Sequence, residues 1–205
     1  MFRNTSFNSL IEISGDMNSC QSQLAMLLAM EFSNVGKRVL YVDGNLSFSR
    51  NLIQKWNALN SSNDSSYLSN IHVIKLFDYH SLMDLLEEFQ HDTLNHDCVL
   101  IIDELITIAF SNKLFDSENE KKSKQKIESL FDNLYYTLAD TAYRFNVLTF
   151  ITRLQTGKIT KKLGADLSEY EQIDGTIKIL DTSSKSWQII FGNVFEEKSF
   201  EISIY

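Results

Sequence analysis

The chain has 205 residues, 43 % of them hydrophobic, and a net charge of −8 at pH 7. That length and apolar content suffice for one full core, while the acidic balance excludes a general nucleic-acid coat, so any such contact must come from a local basic patch. Two cysteines, Cys20 and Cys98, form neither a disulfide framework nor a metal spacing, no run nears the roughly 20 apolar residues of a membrane span, and residues 1–6 lack the apolar core of a secretory signal.

Strand-like and helix-like patterns alternate along the chain. Residues 10–14 read as a short buried strand and residues 22–32 as a helix apolar on most faces, packed on a sheet. Gly36-Lys37-Arg38 turns into a second strand, Val39-Leu40-Tyr41-Val42-Asp43. A helix over 51–59 is followed by a polar loop over 60–66, a third strand over 71–77 and an amphipathic helix over 82–90. Asp97-Cys98-Val99-Leu100-Ile101-Ile102-Asp103 is almost wholly apolar, which predicts a strand in the middle of a parallel sheet. A charged stretch over 116–126 leads into a long helix ending near Phe145, and a fifth strand spans 146–152. The tail changes period. Residues 176–180, 187–191 and 200–204 read as short strands of an antiparallel meander. The expected architecture is a single α/β domain over 1–205, a mainly parallel sheet with helices on both faces and a C-terminal antiparallel extension. With no disulfide pattern, a reducing intracellular compartment is expected.

The first strand-to-helix junction carries the most information. It reads Gly15-Asp16-Met17-Asn18-Ser19-Cys20-Gln21-Ser22. A phosphate-binding loop has the form G-x-x-x-x-G-K-[ST] in this setting. Gly15 and Ser22 hold the first and last positions, but Cys20 stands at the second glycine and Gln21 at the lysine. Asp103 ends the fourth strand, as does the Mg²⁺-facing aspartate of such ATPases. The bland alternatives are an accidental Gly/Ser spacing and an ordinary strand-end carboxylate.

These stretches together resemble the RecA-type recombinases. Ser19-Cys20-Gln21-Ser22-Gln23-Leu24-Ala25 is similar to the family run GKTQLxxxLA, with Gln21 replacing the lysine. Val39-Leu40-Tyr41-Val42-Asp43-Gly44-Asn45-Leu46-Ser47-Phe48 is similar to VLYIDTEGxF. Residues 97–105 resemble the second nucleotide motif, 146–152 the strand before the second DNA-binding loop, and 163–168 with the following hairpins the end of the domain. The matches keep the family order over most of the chain. It looks like a short, divergent paralogue without the separate N-terminal DNA-binding domain, of the kind found in Shu-type recombination mediator complexes.

The resemblance implies a RecA-like P-loop core whose chemistry has been lost. Gln21 carries no charge to balance phosphates, Cys20 puts a side chain where backbone should approach, and no carboxylate follows Asp43 to act as a base. The degenerate nucleotide site is Gly15, Cys20, Gln21, Ser22 and Asp103. The expectation is a pseudo-ATPase with no cofactor and no metal, the alternative being weak ATP binding through backbone amides. By the same resemblance it acts in the nucleus, in a heteromeric complex with another RecA-like paralogue, a zinc-binding SWIM-domain subunit and the recombinase, promoting filament assembly in homologous recombination repair. Rival readings are a RecA-like scaffold subunit of an Elongator-type tRNA-modification assembly, or a divergent active NTPase.

After the fifth strand, residues 153–162 hold Arg153, Lys158, Lys161 and Lys162 and no acid. Such a patch can track phosphates by releasing counterions, and the family places its second DNA-contacting loop here, so these four are the expected DNA-binding residues; a solvated loop facing an acidic partner is the alternative. A second basic cluster, Lys121, Lys122, Lys124 and Lys126, is diluted by Asp116, Glu118, Glu120 and Glu128 and reads equally well as a solvated helix start. His72, His80, His91 and His96 show no metal-ligand spacing. Phe2, Phe7, Phe48 and Trp187 are candidate partner contacts.

Overall fold

A computed structural model describes residues 8–15, 20–59, 66–91, 98–110, 120–154, 174–181, 186–193 and 197–203. The strands are β1 (Leu10–Gly15), β2 (Val39–Asp43), β3 (Ile71–Lys75), β4 (Val99–Asp103), β5 (Leu148–Leu154), β6 (Gly175–Asp181), β7 (Ser186–Asn193) and β8 (Glu197–Ser203). The helices are α1 (Gln21–Asn34), α2 (Arg50–Leu59), α3 (Tyr79–His91), α4 (Leu105–Phe110) and α5 (Glu120–Phe145), with a 3-10 turn at Ser66–Asn70.

The strands form one sheet in the order β3-β2-β4-β5-β1-β6-β7-β8. The six from β3 to β6 run parallel. β7 pairs antiparallel with β6, and β8 antiparallel with β7. β6 thus has two neighbours, pairing parallel with β1 on one side and antiparallel with β7 on the other, so it both completes the parallel sheet and starts the antiparallel run of the tail. A period of two marks a strand but does not choose its partner or direction.

Strand alternation divides the core between two faces. In β4, Val99 and Ile101 pack with Ala25, Met26, Ala29 and Met30 of α1. Leu100 and Ile102 pack with Leu82 and Leu86 of α3, Ile108 of α4, and Phe131, Leu134 and Leu138 of α5. Helices thus cover both faces, which is why β4 reads as an uninterrupted apolar run and is buried throughout. The α5 residues recur at helical spacing and form its inward stripe. α1 stops at Gly36, whose φ of +83° is open to glycine without a Cβ penalty. There the Gly36 and Lys37 N–H groups donate to the carbonyls of Ser33 and Phe32, closing the helix end.

Parallel strands share one carboxyl edge. Gly15, Asp43, Asp103 and Leu154 end their strands there, and Asp43 pairs directly with Asp103 in the register. Open α/β sheets present their ligand crevices at this edge. Among the described residues no helix is long and apolar enough to cross a membrane.

Candidate functional site

β1 delivers Gly15 to the carboxyl edge, and α1 starts with Cys20 as its N-cap residue. Asp16, Met17, Asn18 and Ser19 lie outside the described residues. Cys20 makes no side-chain capping hydrogen bond. Burial pushes its thiol up to about 11, so it stays protonated and is no nucleophile at neutral pH. Gln21 is buried, and its Nε2 donates to the Gly15 carbonyl at 2.9 Å. The side chain standing at the lysine position thus folds back onto the strand it follows.

Ser22 reaches across the edge. Its Oγ donates to Oδ1 of Asp103 at 2.9 Å, joining positions 81 residues apart in sequence. The structure therefore brings together the last residue of the phosphate-loop pattern and the aspartate at the end of β4. Asp103 is 0 % exposed. Its Oδ1 also accepts from Thr152 Oγ1 at 2.6 Å, and its Oδ2 accepts from the Tyr41 hydroxyl at 3.0 Å and from the Ser47 hydroxyl. Four hydroxyls on α1, β2, the loop after β2, and β5 converge on one carboxylate. Burial, with the adjacent Asp103, drives the Tyr41 phenol far above its ordinary range, so it is held as a donor.

Asp43, also buried, is used locally. Its Oδ1 accepts from the Ser47 N–H at 2.9 Å and its Oδ2 from the Phe48 N–H at 3.3 Å, an aspartate-closed turn. Phe48 packs edge-on against Tyr41, with ring centroids 5.0 Å apart. Gly44 is required where it stands: a Cβ there would lie 2.6 Å from the Asp103 carbonyl oxygen, to which the Gly44 N–H donates.

Glu104 follows Asp103 with φ +62°, a left-handed backbone that is uncommon for a non-glycine residue. Its N–H donates to Thr152 Oγ1 at 2.7 Å, so Thr152 passes one hydrogen bond on to Asp103 while accepting another. Burial, reinforced by the Asp103 charge, holds the Glu104 carboxyl above its usual range.

Among the described residues, the donor set does not fit a magnesium–triphosphate. Such a ligand needs a cation at the position of Gln21 and open carboxylate oxygens for the metal. Both oxygens of Asp103 already accept two hydroxyl hydrogen bonds each. Among the described residues no three His, Cys, Asp or Glu side chains converge as metal ligands.

One expected DNA contact is overturned. Arg153 is only 6 % exposed. Its Nη2 and Nε lie 2.7 and 3.1 Å from Oε1 of Glu12, and Oε2 of that carboxylate accepts from the Tyr135 hydroxyl at 3.1 Å. β5 extends through Leu154, and its pleat turns Arg153 to the same face as Ile151, into the layer under α5. A guanidinium committed to a buried carboxylate cannot track phosphates. Lys158, Lys161 and Lys162 lie outside the described residues, as do Phe2, Phe7 and His96. Lys121, Lys122, Lys124 and Lys126 fall on the first turns of α5, and Trp187 on β7.

Sequence reasoning missed Tyr41, Ser47, Thr152, Glu104 and the Glu12–Arg153 pair. A signal existed for two of them. Glu12 interrupts an apolar strand, and a buried acid demands a partner. Glu104 follows an aspartate at a strand end. The three hydroxyl residues are unremarkable in sequence, because parallel register aims Tyr41 and Thr152 at Asp103 and the turn closed by Asp43 brings Ser47 there.

No protein-family model matches the chain, and no curated protein matches it.

Proposed function

We propose that this chain is a non-hydrolysing RecA-like subunit, with a core derived from the P-loop fold, that works in a heteromeric complex. The observation that carries the reading is the pairing of Ser22 with Asp103 beside a Gln21 turned back onto Gly15. The last residue of the phosphate-loop pattern meets the aspartate that ends β4, as in such an ATPase, while the charge that would hold a triphosphate is gone. The hydroxyl cap on Asp103 supports a site that stands without nucleotide.

In this reading the complex binds DNA and promotes recombinase filament assembly in homologous recombination repair, in the nucleus. Its partners are another RecA-like paralogue, a SWIM-domain zinc-binding subunit and the recombinase. The DNA contact is assigned to Lys158, Lys161 and Lys162, with Arg153 withdrawn from the set. Purification of the native complex with identification of its subunits is the first test. Competition between DNA and tRNA then separates a recombination mediator from an Elongator-type scaffold. Replacing the three lysines by alanine should reduce the salt slope of duplex binding by up to about 0.9 per lost phosphate contact. An unchanged slope removes the lysines from the interface.

Glu104 is the observation that favours a second reading, a divergent active NTPase, since it follows Asp103 at the same sheet edge and burial with the Asp103 charge holds its carboxyl above its usual range. The pure chain is expected to hydrolyse no ATP, and Gln21→Lys alone is expected to create no activity. Turnover by the wild-type chain that Glu104→Gln abolishes would establish the second reading.

A further inference from the structure

Helices cover both faces of the sheet around β4. The three tail strands differ. Ile177 and Ile179 of β6 are buried in the core on the α1 side. The register sets Phe191 opposite Ile177 and Ile189 opposite Ile179, with Trp187 next in the same row of β7. β8 continues the pattern, with Phe200 opposite Ile189 and Ile202 opposite Trp187. Directly opposed residues share a sheet face, and successive residues alternate between faces. All five positions therefore belong to the α1 face. The alternate positions are mostly polar, with Thr176, Lys178, Gln188, Ser199 and Glu201 among them. A sheet built this way buries its apolar face and leaves the other to water.

No described helix provides that cover. α1 packs against β1 through β5 on this face, and no described helix packs comparably on β6, β7 or β8. Crossovers that lead toward β8, those through α3 and α5, lie on the opposite face, as right-handed connections require.

The length and entry point of residues 1–7, which lie outside the described residues, fit the open face. The chain bends at Asn8 and then enters β1, the neighbour of β6. Seven extended residues reach about 23 Å, whereas β8 stands about 14 Å from β1 across the sheet. The segment carries Met1, Phe2 and Phe7, and its one charged side chain is Arg3. Size decides between this segment and a second copy of the chain. A face of about 14 by 20 Å offers about 300 Å², less than half the roughly 800 Å² that each partner buries in a stable complex.

We propose that residues 1–7 fold back as an N-terminal arm over the α1 face of β6–β8. Phe7 lies toward the Phe191 end of β7 and Phe2 toward the Trp187 end. The arm closes an apolar face that would otherwise promote self-association. It turns Phe2, Phe7 and Trp187 from contacts with a partner into contacts within one chain, and it stands independently of the nucleotide-site reading.

The test reads Trp187 emission in the full chain carrying Trp56→Phe, which leaves a single tryptophan. With the arm intact, acrylamide should quench that emission weakly. Phe2→Ser combined with Phe7→Ser should move the emission to longer wavelength and raise the quenching constant severalfold. Phe2→Leu combined with Phe7→Leu, which keeps the apolar bulk, should stay near wild type. Amide exchange at Ile177 and Ile179 should remain slow in the serine variant, so that the change reports an opened face on an intact sheet. Equal quenching in wild type and the serine variant overturns the arm as occupant. Shielding that is equal in both and lost on dilution also overturns it, and assigns the face to a second copy.

Discussion

Two buried carboxylates sit in the same sheet and are satisfied in opposite ways. Glu12, on β1, is neutralised by the guanidinium of Arg153 and a single hydroxyl from Tyr135. Asp103, on β4, has no cation among the described residues and is surrounded by four hydroxyls. The first arrangement concentrates its stabilisation in one partner. The second spreads it over several chain segments, so that the carboxylate acts as a hub tying α1, β2, the loop after β2 and β5 to β4. Glu12 belongs to the architecture. Asp103 ends its strand at the carboxyl edge of the sheet, and side chains of the protein itself supply its hydrogen-bonding partners.

The comparison breaks most visibly at the ion pair. Arg153→Met leaves Glu12 buried without its cation and should cost about 3–5 kcal/mol in urea unfolding. Combining it with Glu12→Leu and Tyr135→Phe, which empties the site of charge and of orphaned donors, should recover most of that loss. A loss below about 1 kcal/mol for the single variant would mean that the guanidinium is not needed where the structure puts it.

Asp103→Asn should cost less, about 2 kcal/mol, because the four hydroxyls can turn and share one carbonyl oxygen and one amide. If Asp103→Asn proved more damaging than Arg153→Met, the distributed cap would be the more brittle of the two and the contrast would fail. Outside both sites, the Thr149 hydroxyl is buried and has no hydrogen-bond partner. Thr149→Val keeps the shape and removes an unpaired polar group, so it should raise stability by up to about 1 kcal/mol; a loss would reveal a partner for that hydroxyl.

The smallest effect concerns Glu104, and it depends on pH. Its carboxyl titrates above the ordinary range in the fold, through burial and the Asp103 charge. The folded chain therefore holds this proton more tightly than the unfolded chain does. The resulting stability is present in acid and is lost as pH rises through the raised folded value. Glu104→Gln should be the more stable protein at neutral pH, with the difference closing as pH falls to the ordinary glutamate range. Melting curves across that window check the sign, and a difference that widens in acid contradicts the assignment.

Local patterns carried much of this structure. Continuous apolar runs located β2 and β4, alternating elements announced a parallel sheet, and the Gly15-to-Ser22 spacing and the strand-end place of Asp103 singled out two residues, Ser22 and Asp103, that meet in the fold. These features are legible because periodicity and turn chemistry act within a few residues. α4 was not foreseen, since Leu105, Ile106, Thr107, Ile108, Ala109 and Phe110 have no polar face to reveal a helical period and take their structure from packing against β5, α3 and the end of β4. Arg153 was misread because a run of basic residues looks continuous in sequence, whereas a strand that continues to Leu154 turns alternate side chains inward. The convergence of Tyr41, Ser47, Ser22 and Thr152 on Asp103 was likewise settled only in three dimensions. Strand order and register are long-range pairings, and a hydroxyl becomes a ligand for a carboxylate only when those pairings place it within about 3 Å.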